Sequence, residues 1–82
     1  MPDITVRYFA AAEAAAGTGQ HVLTIEPGTT VAEVIGQLGS DGALRDVLRR
    51  CSYLCDGIAV RDDQAPLQNG QTLDILPPFA GG

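Results

Sequence analysis

The chain has 82 residues, of which 45% are hydrophobic and 18% charged, with a formal net charge of −5; this fits one small globular domain and leaves no room for a second domain or a large enclosed active site. The acidic balance disfavours phosphate backbones, which require clustered cations, and no apolar run approaches the roughly 20 residues that cross a bilayer, so neither nucleic acid nor membrane is an expected partner. All five basic residues are arginines (Arg7, Arg45, Arg49, Arg50 and Arg61), and Met1-Pro2-Asp3 lacks the basic start and apolar run of a secretory leader, so a cytoplasmic location is expected.

Residues 4–9 alternate as a half-buried strand does, with Ile4, Val6 and Tyr8 assigned to the core and Thr5, Arg7 and Phe9 to the other face. Alanines from Ala10 to Ala16 favour a short helix that Gly17-Thr18-Gly19 stops. Residues 21–25 read as a second strand, followed by a turn at Glu26-Pro27-Gly28. Thr30 and Glu33 then stand at capping-box spacing, and Val31, Val34, Ile35 and Leu38 recur at helical spacing before Gly39. The set Leu44, Val47, Leu48 and Cys51 predicts a second, shorter helix over 43–51, with Arg49 and Arg50 suited to its C-terminal dipole.

Asp56-Gly57 between two short apolar runs is a hairpin signal. Asn69-Gly70 marks another turn before a last strand over 72–76, which Pro77-Pro78 ends because proline has no amide hydrogen to donate to a ladder. Each of these elements hides one apolar face, so the order implies an α+β roll: a mixed sheet of four to five strands packed on one main helix, with a second short helix. Residues 1–78 form the expected domain and 79–82 a flexible tail. Sheet order does not follow from the pattern alone.

Within the body, chemistry has little to work with. Cys51 and Cys55 are four apart, with one histidine in the chain, which matches no zinc pattern; both read as small buried hydrophobes. His21 reads as an ordinary strand histidine, and Asp62-Asp63 as a solvated turn. No metal or cofactor is expected on the chain itself. What remains is Leu76-Pro77-Pro78-Phe79-Ala80-Gly81-Gly82. Two prolines stiffen the exit, and glycines without a Cβ let a partner's backbone close around the chain. From Pro78 to Gly82 the extended reach is about 13 to 14 Å, enough to pass a carboxylate through one layer of protein. A carboxylate is a poor acyl donor until it is activated, and with no nucleotide site of its own this chain needs an adenylating partner that uses ATP. Alternation of the first and last strands also places Phe9 and Leu76 opposite the core, as an apolar patch beside the tail that a partner can cover.

The strand Val6-Arg7-Tyr8-Phe9-Ala10 with the alanine-rich helix and Gly17, the stretch Pro27-Gly28-Thr29-Thr30-Val31, the Leu67-x-Asn69-Gly70 turn and the Pro-Pro-Phe-Ala-Gly-Gly ending together resemble the ubiquitin-like sulfur carriers, most of all the small subunits of molybdopterin synthase. The resemblance implies a β-grasp fold. It further implies that Gly82 is adenylated by a ubiquitin-activating-type adenylyltransferase and converted to a thiocarboxylate. The tail, Gly81 included, would then enter the large synthase subunit, in a heterotetramer of two small and two large chains, and supply sulfur for the dithiolene of molybdopterin. Phe9, Leu76, Pro77, Pro78, Phe79 and Ala80 are the expected partner-binding residues. One departure is the hairpin Cys55-Asp56-Gly57-Ile58, where members of the family carry Val-Asn-Gly or similar. Carriers for thiamine thiazole or cysteine synthesis share the Gly-Gly ending, though the second helix and Pro77-Pro78 favour the molybdopterin pathway. A ubiquitin-like protein modifier and a non-catalytic β-grasp binding module are the alternatives from other classes.

Overall fold

A computed structural model of the chain describes residues 1–40 and 42–78. The alternation of the first segment is realised as strand β1 (Asp3–Tyr8), in which Ile4, Val6 and Tyr8 are buried and the residues between them are not. Helix α1 (Ala10–Ala16) follows at once and closes at Gly17, whose φ of 78° needs a residue without a Cβ and whose amide donates to the Glu13 carbonyl. Strand β2 (Gln20–Thr24) then returns antiparallel to β1, so the first hairpin carries a helix in its connection. The ladder begins one residue before the predicted 21–25, and Ile25 turns into the core instead.

Helix α2 (Val31–Leu38) starts with the predicted capping box: the Glu33 amide donates to Thr30 Oγ1 at 3.2 Å, and the Thr30 amide donates to Glu33 Oε1 at 3.0 Å. Val31 and Val34 form its buried stripe, with Ile35 and Leu38 half-buried at its margin. Helix α3 (Gly42–Leu48) buries Leu44 and Leu48. It is shorter than the predicted 43–51. The amides of Arg50 and Cys51 donate to the carbonyls of Val47 and Leu48, three residues back, a tightening that ends the helix and frees Ser52 to begin β3 (Ser52–Cys55).

Asp56-Gly57 joins β3 to β4 (Ile58–Ala59), both residues with positive φ as a type I′ turn requires. Aspartate at this turn has a structural role: Asp56 Oδ1 accepts from the Thr72 amide at 2.9 Å while the Asp56 amide donates to the Thr72 carbonyl, so the departure noted in the sequence ties the hairpin to β5 (Thr72–Leu76). The loop before β5 is held down by Leu67, which is 2% exposed and whose amide donates to Thr29. At Asn69-Gly70 the side chain and amide bond to the backbone of Asp3, locking the turn to the start of β1.

The sheet order is β2-β1-β5-β3-β4, with β5 parallel to β1 and antiparallel to β3. Val6, Leu73 and Ile75, all inaccessible to solvent, meet Val34, Ala12, Leu44 and Leu48 in a single core between sheet and helices. Each large aliphatic side chain buried there contributes about 1.5 to 3 kcal/mol. With a parallel central pair and the helices packed on its inner face, the architecture is the β-grasp. Cys51 and Cys55 depart from expectation in degree: both are half-buried at the edge of the core and are free thiols.

Candidate functional site

The last strand delivers the chain to one end of the sheet. Parallel pairing sets Tyr8 beside Ile75, and one step on the Phe9 amide donates to the Ile75 carbonyl at 3.2 Å. On the other side Ser52 pairs with Leu76. Because Tyr8 and Ile75 face the core, Phe9 and Leu76 fall on the outer face, and both are half-buried. Pro77 is half-buried and Pro78 exposed, so burial falls off within two residues of the ladder. Phe79, Ala80, Gly81 and Gly82 lie outside the described residues.

The expected apolar patch is therefore real but tempered. Phe9 is neither core nor fully open, since the Arg7 guanidinium lies over its ring, 5.1 Å from the centroid. That contact puts Phe9 and Arg7 on the same, outer face, while Ala12 of α1 is buried in the core. Leu54 of β3 extends the half-buried strip, opposite Asp74 on one side and Ala59 on the other. Sequence reasoning placed Arg7 on this face but did not reach Asp74: Arg7 Nε stands 3.6 Å from Asp74 Oδ1, across the central parallel pair. The signal that finds it is strand alternation in β5 combined with the β1–β5 register, and only the first is available from sequence.

Beneath the exit, Tyr53 fixes the junction of α3 and β3. Its hydroxyl donates to the Leu48 carbonyl at 2.7 Å, and burial, with a smaller contribution from neighbouring Cys51, pushes its pKa up to about 12. The Cys51 thiol donates to the Val47 carbonyl and burial raises its pKa; burial and the Asp56 charge raise that of Cys55. Neither thiol has the depressed pKa of a nucleophile. His21 stacks on Tyr8 with ring centroids 5.6 Å apart, and its Nε2 is 2.9 Å from the Tyr8 hydroxyl, a packing role within the first hairpin. Asp62 and Asp63 are exposed, and the Asp63 carbonyl accepts from the Ala32 amide, which anchors the loop to the start of α2. No helix among the described residues is long and apolar enough to cross a membrane.

The catalytically suggestive groups of the body are thus engaged in structure, and the distinctive feature is a half-buried strip on the open sheet face where the chain leaves β5. That arrangement defines a ubiquitin-like β-grasp protein. The chain belongs to the ThiS family, which it matches over residues 6–82. It is 28% identical to the molybdopterin synthase sulfur carrier subunit of Chlamydomonas reinhardtii, over 98% of this chain and 99% of that protein. Among solved structures it is similar to the small archaeal modifier protein 1 of Methanosarcina acetivorans, with a TM-score of 0.81, 26% identity, and coverage of 100% of this chain and 98% of that one. It also resembles in fold a chain from the complex of subunits 1 and 2 of the molybdopterin-converting factor of Helicobacter pylori, with a TM-score of 0.74, 20% identity, and coverage of 98% and 99%.

Proposed function

We propose that this protein is a sulfur carrier, the small subunit of a molybdopterin synthase, with the carboxyl group of Gly82 as its working atom set. The observation that carries the reading is the end-to-end similarity to a molybdopterin synthase sulfur carrier subunit, in a chain whose β5 is followed by a half-buried Pro77 and an exposed Pro78. An adenylyltransferase of the ubiquitin-activating type joins Gly82 to AMP, using ATP and releasing pyrophosphate. A sulfide-level donor then displaces AMP and leaves a thiocarboxylate. The large subunit takes up the tail, and the thiocarboxylate sulfur attacks an electrophilic carbon of the pterin precursor, whose oxygen substituent departs with its bonding electron pair; water then hydrolyses the resulting thioester, leaving the sulfur on the product as a thiol and restoring the Gly82 carboxylate.

In this scheme the body's task is docking. Ordering the four residues after Pro78 costs about 1 to 2 kcal/mol each in backbone entropy, so roughly 4 to 8 kcal/mol opposes threading. The strip around Phe9, Leu54 and Leu76 must offset most of it. The complex of subunits 1 and 2 in Helicobacter pylori supports pairing with a large subunit, and we assign the assembly two chains of each kind, in the cytoplasm. Intact mass of the protein from its native cell tests the reading: a gain equal to the exchange of one oxygen for sulfur, mapped by fragmentation to Gly82 and not to Met1 or a cysteine, is the expected result. Only unmodified Gly82, in cells with the pathway active, would falsify it.

Similarity to a small archaeal modifier protein favours a second activity, attachment of Gly82 to amines of other proteins. With no lysine in the sequence, side-chain-linked chains of the protein upon itself are excluded. Reductant-resistant conjugates carrying a Gly81-Gly82 remnant on target lysines are the expected sign.

A further inference from the structure

Arg7 is the only arginine in the five strands, and it sits at the centre of the open face. Two contacts hold it: its guanidinium lies over the Phe9 ring at 5.1 Å, and its Nε faces Asp74 Oδ1 at 3.6 Å. The two partners differ in access, because the Arg7 side chain is 44% exposed and that of Asp74 only 14%. Asp74 Oδ1 has lost contact with solvent and has no hydrogen-bond partner among the described residues. At 3.6 Å the guanidinium compensates its charge without a formed hydrogen bond. None of the Arg7 guanidinium donors, in turn, makes a hydrogen bond to a described residue. Asp74 is thus the inward anchor of the pair, and Arg7 turns a stacked, charged fork toward whatever covers the face.

We propose that Arg7 is a docking residue that receives a carboxylate side chain of the protein seated on this face, and that Asp74 is its positioning residue. The inference rests on the carrier reading, which makes that protein the large synthase subunit. An apolar surface closing over Phe9 and Leu76 removes water from the Arg7 donors, which then need acceptors to avoid a desolvation penalty. A carboxylate answers two of them at once in the bidentate geometry that guanidinium favours. A partner cation is a poor fit, since the Asp74 oxygen it would seek is covered and the group facing outward is itself positive. Stacking on Phe9 holds the guanidinium in place, so less side-chain freedom is lost on docking than for a free arginine.

The test is titration calorimetry of the full chain against the large subunit from the same organism, at two salt concentrations. Arg7→Gln is expected to weaken binding at least about tenfold and to flatten its salt dependence; Asp74→Asn is expected to weaken it less, by loosening Arg7. Should Asp74 destabilise the fold once its counter-charge is gone, the paired change Arg7→Gln with Asp74→Asn removes both charges and must show the same loss. Arg7→Glu should abolish binding, and substitution of one partner acid by arginine should restore it, a rescue that a merely structural role cannot produce. Binding of Arg7→Gln as tight as or tighter than wild type overturns the proposal while leaving the carrier reading intact. If the wild-type chain does not bind the large subunit, the carrier reading fails and this inference with it.

Discussion

The Phe9 amide donates to the Ile75 carbonyl at 3.2 Å, so the residue just after β1 is fastened to the last strand one position before Leu76. This backbone tie, rather than side-chain packing in the core, puts an aromatic ring where the chain departs. Phe9→Asp keeps the tie and replaces the ring with a charge. On the carrier reading, with one face serving the adenylyltransferase and the large subunit in turn, we expect it to weaken binding to both. The unfolding free energy should fall only by what a half-buried ring and its cation contact contribute, about 1 to 2 kcal/mol. A collapse of the fold, or loss of one complex alone, would refute a shared face.

Gly81→Ala and Gly82→Ala should leave unfolding unchanged and slow sulfur transfer. Glycine brings no side-chain contacts to a narrow channel, so its value there is clearance for walls that approach the main chain. Affinity of the body for its partners should survive, because the added methyl lies at the far end of the tail. Measuring adenylate formation, transfer rate and affinity for each variant separates the steps. Wild-type transfer by both alanine variants refutes the narrow channel, and activity after removal of both glycines refutes the carrier itself.

Much of this architecture was legible in the sequence because its causes are local. Thr30 and Glu33 announce the start of α2 by spacing alone, and Ile4, Val6 and Tyr8 announce their face by alternation. Asp56-Gly57 announces a turn because few other pairs accept two positive φ angles. The parallel union of β1 and β5 has no local signature, since it joins Val6 to Leu73 across nearly the whole chain, and its assignment rested on family resemblance. The Arg7–Asp74 pair inherits that blindness. So does Leu67, a loop residue in the core, whose burial follows from a backbone bond to Thr29 that no spacing rule anticipates. The end of α3 at Leu48 has no signal in the pattern, because Cys51 fits helical periodicity, yet its neighbour Ser52 pairs with Leu76.

Stability should fall at alkaline pH in a window set by Tyr53. Its pKa in the folded chain is about 12 against an ordinary value of 10.0, so between those values the unfolded chain loses the proton first. The stabilisation is complete below pH 10 and is lost as pH rises toward 12. Tyr8 and the two cysteines, also raised, add to the slope. Tyr53→Phe should cost about 0.5 to 1.5 kcal/mol at neutral pH through the lost bond to Leu48 and should make the alkaline decline shallower. Chemical denaturation across pH 8 to about 12 checks both; an unchanged slope removes Tyr53 as the titrating group.

Ala10 opens α1 with a φ of 50°, a left-handed conformation that a Cβ resists by about 1 to 2 kcal/mol. Glycine relieves that strain but adds about 0.5 to 1 kcal/mol of backbone entropy to the unfolded chain. Ala10→Gly should therefore be neutral to stabilising, by up to about 1 kcal/mol. Urea unfolding decides it; destabilisation beyond 1 kcal/mol or so would mean that the alanine methyl packs more than it strains.

The position of β5 between β1 and β3 governs the order in which the molecule can be assembled. Until residues 72–76 have been synthesised, the sheet exists only as two separate hairpins with no shared ladder, and the core lacks Leu73 and Ile75 at its centre. Closing it means bridging some sixty residues of intervening chain, a non-local step that makes folding a late event. Residues 79–82 follow β5 and Pro77-Pro78 in the chain, so the completed surface and the proposed site of activation become available together. If the proposed carrier function holds, an unfinished chain presents neither the docking face nor the glycines to an activating enzyme, and quality control of the carrier is in this sense built into its strand order.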